Sequence, residues 1–282
     1  MASASVFCIA YLFICGALWH WQSHLIFEPD PLLRSRPADY QFAVVDVRIP
    51  LTSAASETQF LHGWWIPGTR QGGTKTVLYL HGNDGNVSTN MGHIEPLRQL
   101  GFPVFALDYR RYGESDGEFP SEAGVYQDAQ TAWNFLVHTW GVKPADLFIY
   151  GHSLGGAIAI ELATHHPEAA GLVVEGGFTS IRDMALLDWR YAIFPLDIIV
   201  NQRFDSIGKV NQLRLPTLYV HAIVDDIVPY GMGKALYHGT GKSIRQFLAI
   251  PYGGHEESTT LGGEQYRTAI TAFFRQTNIW TR

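Results

Sequence analysis

The hexapeptide Gly151-His152-Ser153-Leu154-Gly155-Gly156 constrains this chain more than any other stretch. Before it runs Leu147-Phe148-Ile149-Tyr150, a short β-forming apolar run that reads as a buried strand. After it runs Ala157-Ile158-Ala159-Ile160-Glu161-Leu162-Ala163, which reads as a helix. A serine at so sharp a strand-to-helix turn is strained, and its neighbours must be small for the two backbones to meet. The turn lifts the hydroxyl above the sheet, beside a helix N-terminus whose N–H groups face a developing anion. Ser153 is therefore the candidate nucleophile. The alternative is a glycine-rich turn with an incidental serine.

The rest of the chain supplies the sheet such a turn needs. Strands are expected at Phe42–Ile49 and Gln59–Ile66, joined by a polar hairpin loop over Pro50–Thr58, with a turn at Gly68–Gly73. From Thr76 strands and helices alternate, the mark of a mostly parallel sheet. Strands read at Thr76–Leu80, Val104–Leu107, Leu172–Glu175, Thr217–His221 and Arg245–Ile250. Helices read at Met91–Leu100, at Glu122–His138 and at Gln265–Phe274. In the second of these Val125, Ala129, Ala132, Trp133 and Leu136 share one face, and Ser121 is placed to cap it. Residues 181–215 break the alternation with an apolar run interrupted by Pro195. They read as a small helical lid over the carboxyl ends of the strands, where open sheets place their sites.

A hydrophobic content of 46% and a charged content of 16% over 282 residues suit one domain with a sizeable core. The net charge of −6 and the pI near 6.0 argue against a nucleic-acid partner. The only cysteines, Cys8 and Cys15, lie in the N-terminal apolar segment, so the globular part has no cysteine nucleophile or Cys-based zinc site. No H-E-x-x-H occurs among the scattered histidines, and neither a metal nor a cofactor is expected. No charged residue appears between Met1 and Glu28, and Val6–Trp21 ends in tryptophans. Residues 1–26 thus read as a single-pass membrane anchor, though the apolar core is short for a span. Arg34 and Arg36 favour a cytoplasmic side for the residues after the anchor. Prolines 29, 31 and 37 make residues 27–39 an extended linker, and 40–282 the catalytic domain.

A serine nucleophile needs a base, and the base an orienting acid. After an elbow serine these follow as Asp or Glu, then His. His255, in the glycine-containing loop after the last strand, is the expected base. Asp225 is the expected acid, with Asp226 and Glu175 as alternatives. The backbone N–H groups of Leu154 and Asn83 are the expected oxyanion donors; Gly82 lets the loop after Thr76–Leu80 turn in.

Taken together, His81-Gly82-Asn83-Asp84-Gly85-Asn86, Asp108-Tyr109-Arg110, Gly151–Gly156, Asp225 with Val228-Pro229, and Gly254-His255 resemble the α/β-hydrolase superfamily of serine hydrolases. The N-terminus resembles that of a branch of single-pass members. The resemblance implies an α/β-hydrolase fold: a mostly parallel central sheet flanked by helices, with a small helical lid and an N-terminal hydrophobic helix. Arg111 stands where relatives usually carry glycine, and Gly176-Gly177-Phe178 where a small residue and proline usually precede the Phe. The expected activity is cleavage of an acyl ester or thioester, on a small acyl substrate, a lipid or an acylated peptide. Rivals are an aminopeptidase-like serine peptidase, with Glu175 or Asp188 holding the substrate ammonium, and a ligand-binding protein that lost turnover.

Overall fold

The computed structural model describes residues 2–51, 59–69 and 75–276. Among these, eight strands form one sheet: β1 (Val45–Leu51), β2 (Gln59–Ile66), β3 (Thr76–Leu80), β4 (Val104–Leu107), β5 (Leu147–His152), β6 (Gly171–Glu175), β7 (Thr217–Ala222) and β8 (Arg245–Ile250). Their spatial order is β8-β7-β6-β5-β3-β4-β2-β1. The pairs β1–β2 and β2–β4 are antiparallel and the others parallel. Most of the expected hairpin loop (52–58) and part of the expected turn (70–73) lie outside the described residues.

The parallel strands are apolar at nearly every position because both faces are covered. Helices α3 (Glu122–Asn134), α4 (Leu154–His165) and α5 (Tyr230–Gly239) pack on one face, and α2 (Met91–Gln99) and α6 (Gly263–Gln276) on the other. The Ser121 hydroxyl accepts from Gly124 N at the start of α3, which satisfies one of the free N–H groups of its first turn. Residues 181–215, the stretch expected to form a lid, carry the short helices Ile181–Ala185, Leu196–Ile199 and Ser206–Lys209.

The N-terminal segment departs from its expected role. Helix α1 (Ala2–Trp21) is formed, but no helix among the described residues is long and apolar enough to cross a membrane. The reading of a single-pass membrane protein is thereby overturned. The helix lies on the lid: the Tyr11 hydroxyl donates to Ile193 O at 2.8 Å, and Cys15 and Leu18 pack with Leu196 and Ile199. Apolar side chains that would suit lipid are thus partly spent on protein. The stretch 27–39 is tied down as well. Glu28 N donates to Asn83 O at 2.9 Å, and the Asn86 side chain donates to Asp30 O and Leu32 O.

Packing is tightest where α4 crosses β3. A Cβ on Gly155 would lie 2.0 Å from Leu80 O, and one on Gly151 would lie 2.1 Å from Gly155 O. The exchange Gly155→Ala should therefore cost more than about 3 kcal/mol, or prevent folding. Gly92→Ala, with nothing within 4 Å of the added methyl, should raise stability by about 0.4–1 kcal/mol. Urea midpoints of the two variants check both expectations.

Candidate active site

The elbow fixes the first residue. Ser153 has φ 53° and ψ −119°, a left-handed backbone that costs about 1–3 kcal/mol in a non-glycine residue. It is pinned there because its N–H donates to Glu175 O and its carbonyl accepts from Gly156 N, both at 2.9 Å. The side chain stands at the N-terminus of α4, whose first N–H groups have no partner within the helix.

The loop after β8 brings His255 to this end of the sheet. Its Nδ1 lies 2.8 Å from Asp225 Oδ2. Asp225 is the carboxylate that faces the imidazole, while Asp226 accepts from the His255 backbone N–H at 3.2 Å. Asp225 Oδ1 accepts from the N–H groups of Ile227 and Val228, and His221 Nε2 stands 3.3 Å from Oδ2. Burial alone would raise the Asp225 pKa, but the contacts with His221, His255 and Val228 N outweigh it and hold the carboxyl well below its usual range. The Nε2 of His255 is buried and free of hydrogen-bond partners among the described residues. Gly176 lets the ring approach: its φ is +57°, and a Cβ there would sit 2.9 Å from His255 Cε1.

The loop after β3 carries Asn83, whose carbonyl accepts both Glu28 N and the Tyr112 hydroxyl, at 2.9 and 2.5 Å. Below it, buried Asp108 accepts from Val87 N and lies 2.7 Å from His62 Nδ1. Asn83, Ser153 and Leu154 border one cavity of about 270 Å³. Its remaining walls are Leu18, Gln22, Leu25 and Ile26 from the N-terminal segment, lid residues including Met184, Leu196 and Ile199, and Phe178, Ile227 and Val228. Among the described residues no charged side chain lines it.

Comparison with known proteins agrees with this fold. A family model described as serine aminopeptidase, S33, matches residues 73–202. The α/β hydrolase domain-containing protein WAV2 of Arabidopsis thaliana is 30% identical, over 73% of this chain and 71% of its own length. The chain belongs to the α/β-hydrolases. Its fold is shared with the Pyrococcus furiosus esterase Pf2001, at TM-score 0.70 and 20% identity over 89% of this chain and 97% of that one. A puromycin-hydrolyzing peptidase of Mycobacterium tuberculosis matches 87% of this chain and 41% of its own, at TM-score 0.67 and 19% identity.

The hydrolase also holds an ionic group, buried at His93 and Glu175 and open to solvent at Glu256, that sequence reasoning missed. His93, on α2, stands between Glu175 and Glu256: Nδ1 is 3.3 Å from Glu175 Oε2, and Nε2 is 3.3 Å from Glu256 Oε2. The first is an ion-pair distance without aligned hydrogen-bond geometry. Glu175 also accepts from the Tyr150 hydroxyl at 2.6 Å. Burial opposes charge on His93, yet the two carboxylates prevail and raise its pKa to about 10. His152, stacked on His93 at 4.2 Å, is driven the other way: burial and then the His93 charge lower it to about 4. Neutral His152 places Nε2 3.3 Å from His255 O, joining the group to the loop of His255. His93, His152 and Glu256 are also the set of ligand-type side chains, among the described residues, whose atoms lie within 4.8 Å of one another. The ion pairs already account for that grouping. Glu175 carried a signal in the sequence, as a carboxylate ending an apolar strand; His93 carried none.

Because the His93 pKa is raised on folding, its stabilising contribution is complete below the ordinary histidine value of 6.5 and is lost as pH rises toward about 10. The stability gap between wild type and His93→Gln should accordingly be widest near pH 6 and narrow toward pH 10, as urea titrations across that window would show. A gap that widens with pH would contradict the assigned charge.

Proposed function

We propose that this α/β-hydrolase cleaves acyl esters or thioesters through Ser153, His255 and Asp225. The observation that carries the reading is the cavity at Ser153: it is mostly apolar, and among the described residues no carboxylate lines it. A peptidase that trims N-terminal residues needs an anionic or carbonyl site for the substrate ammonium. The two residues that could have served are engaged elsewhere. Glu175 is buried against Tyr150 and His93, and Asp188 accepts from Arg190. An acyl chain needs neither, and gains from each apolar surface it covers.

In this mechanism Ser153 Oγ attacks the acyl carbonyl and His255 Nε2 takes its proton. Asp225 holds Nδ1, which leaves Nε2 as the ring nitrogen that takes the proton. Asp225, ionised through its hydrogen bonds, keeps the Nδ1–H tautomer and stabilises the imidazolium. The N–H groups of Leu154 and Asn83 receive the oxyanion. His255 returns the proton to the leaving alcohol or thiol, and water, activated by the same imidazole, then releases the acid.

A panel of p-nitrophenyl esters, acyl-thioesters and aminoacyl p-nitroanilides tests the reading. Wild type should turn over the esters and thioesters in preference to the anilides. Ser153→Ala should lose roughly a million-fold in kcat. Asp225→Asn should lose about ten-thousand-fold, since an amide stabilises the wrong imidazole tautomer. Asp226→Asn, which touches only the His255 backbone, should lose far less. Preference for the aminoacyl anilides would replace this reading with the peptidase.

A further inference from the structure

The N-terminal helix has no part in the chemistry above and lies outside the family match at 73–202, yet it reaches the cavity. Tyr11, Cys15, Leu18 and Gln22 recur at spacings of four, three and four, which places them on one helical face. That face meets the lid: Tyr11 stacks on Phe194 at 5.7 Å, and Cys15 and Leu18 join the cluster of Leu196 and Ile199.

Gln22 makes the joint. It is 8% exposed and fully engaged. Its Nε2 donates to Trp19 O and to Ile199 O, and its Oε1 accepts from the N–H groups of Asn201 and Gln202. These bonds lock the helix end to the lid, because any movement would leave buried amide groups unpaired. A second tie lies just downstream. Phe27 is buried against Phe204, and Glu28 N donates to Asn83 O, on the loop that borders Ser153. The helix is thus fixed to both the lid and the oxyanion loop, and Leu18, Gln22, Leu25 and Ile26 complete the cavity wall.

We propose that this segment is the acyl-length gauge of the enzyme: Leu18 bounds the space open to a straight apolar acyl chain held at Ser153, and Gln22 fixes its position. The proposal rests on the acyl-hydrolase reading above. Without the segment the cavity would be open to solvent along one side, and a long chain would lose the apolar contact that distinguishes it from a short one.

The test compares p-nitrophenyl acetate, butyrate, octanoate and laurate on the full-length protein. The readout is the ratio of kcat/KM for octanoate to that for acetate, which is independent of the fraction of active enzyme. Leu18→Trp fills the cavity, and should lower this ratio about tenfold or more relative to wild type, in line with what misplaced methylenes cost in an apolar pocket. Leu18→Ala enlarges it, and should raise the laurate-to-octanoate ratio. Should Leu18→Trp fail to fold, Leu18→Ala carries the test alone. Ratios within about twofold of wild type in every folded variant would overturn the gauge while leaving the acyl-hydrolase reading intact. A wild type inactive on all four esters would overturn both.

Discussion

Everything at the carboxyl ends of the strands depends on one close approach, the backbone of α4 against that of β3. Gly151 and Gly155 have no room for a methyl group, and that lack of room holds Ser153 in its left-handed conformation. The strain is offset by the sheet itself, since the Ser153 N–H bonds to the carbonyl of Glu175 on the neighbouring strand end. Strand β6 thereby both fixes the elbow and, through Gly176, makes space for the His255 ring.

Two sets of charge meet the loop of His255 from different sides. Asp225 faces the ring itself and is kept ionised by His221 and by backbone N–H groups. Buried Glu175 and His93 and the solvent-exposed Glu256 alternate in sign beside it, linked through neutral His152 to the His255 carbonyl. In the low-dielectric interior Glu175 and His93 are each costly without the other, so removing one destabilises more than adding the pair stabilises. The group therefore constrains where the loop can sit, while Asp225 sets the tautomer of the imidazole it carries.

Much of this was legible in the residues. β2, β3, β4 and β8 occupy the ranges that their apolar runs and flanking turns predict. The order serine, aspartate, histidine pointed to side chains that the fold gathers at one end of the sheet. Other features were not legible, for identifiable reasons. The composition of α1 is the same whether it faces lipid or a lid; only the face made by Tyr11, Cys15, Leu18 and Gln22 distinguishes them, and its partners are lid residues far along the chain. The prolines of residues 27–39 suggested a free linker, but the backbone there bonds to the loop after β3. His93 and Glu175 each look isolated in sequence, and only the folded chain, in which the α2 side chain reaches the end of β6, makes them a pair.

The chemistry as a whole turns on Ser153 being the residue that reacts. Reaction of the folded protein with a fluorophosphonate, followed by peptide mass mapping, tests this most directly. The expected result is one adduct, on the peptide carrying Ser153, formed quickly in wild type and lost in Ser153→Ala with the fold retained. An adduct on another residue, or labelling that persists in folded Ser153→Ala, would contradict it.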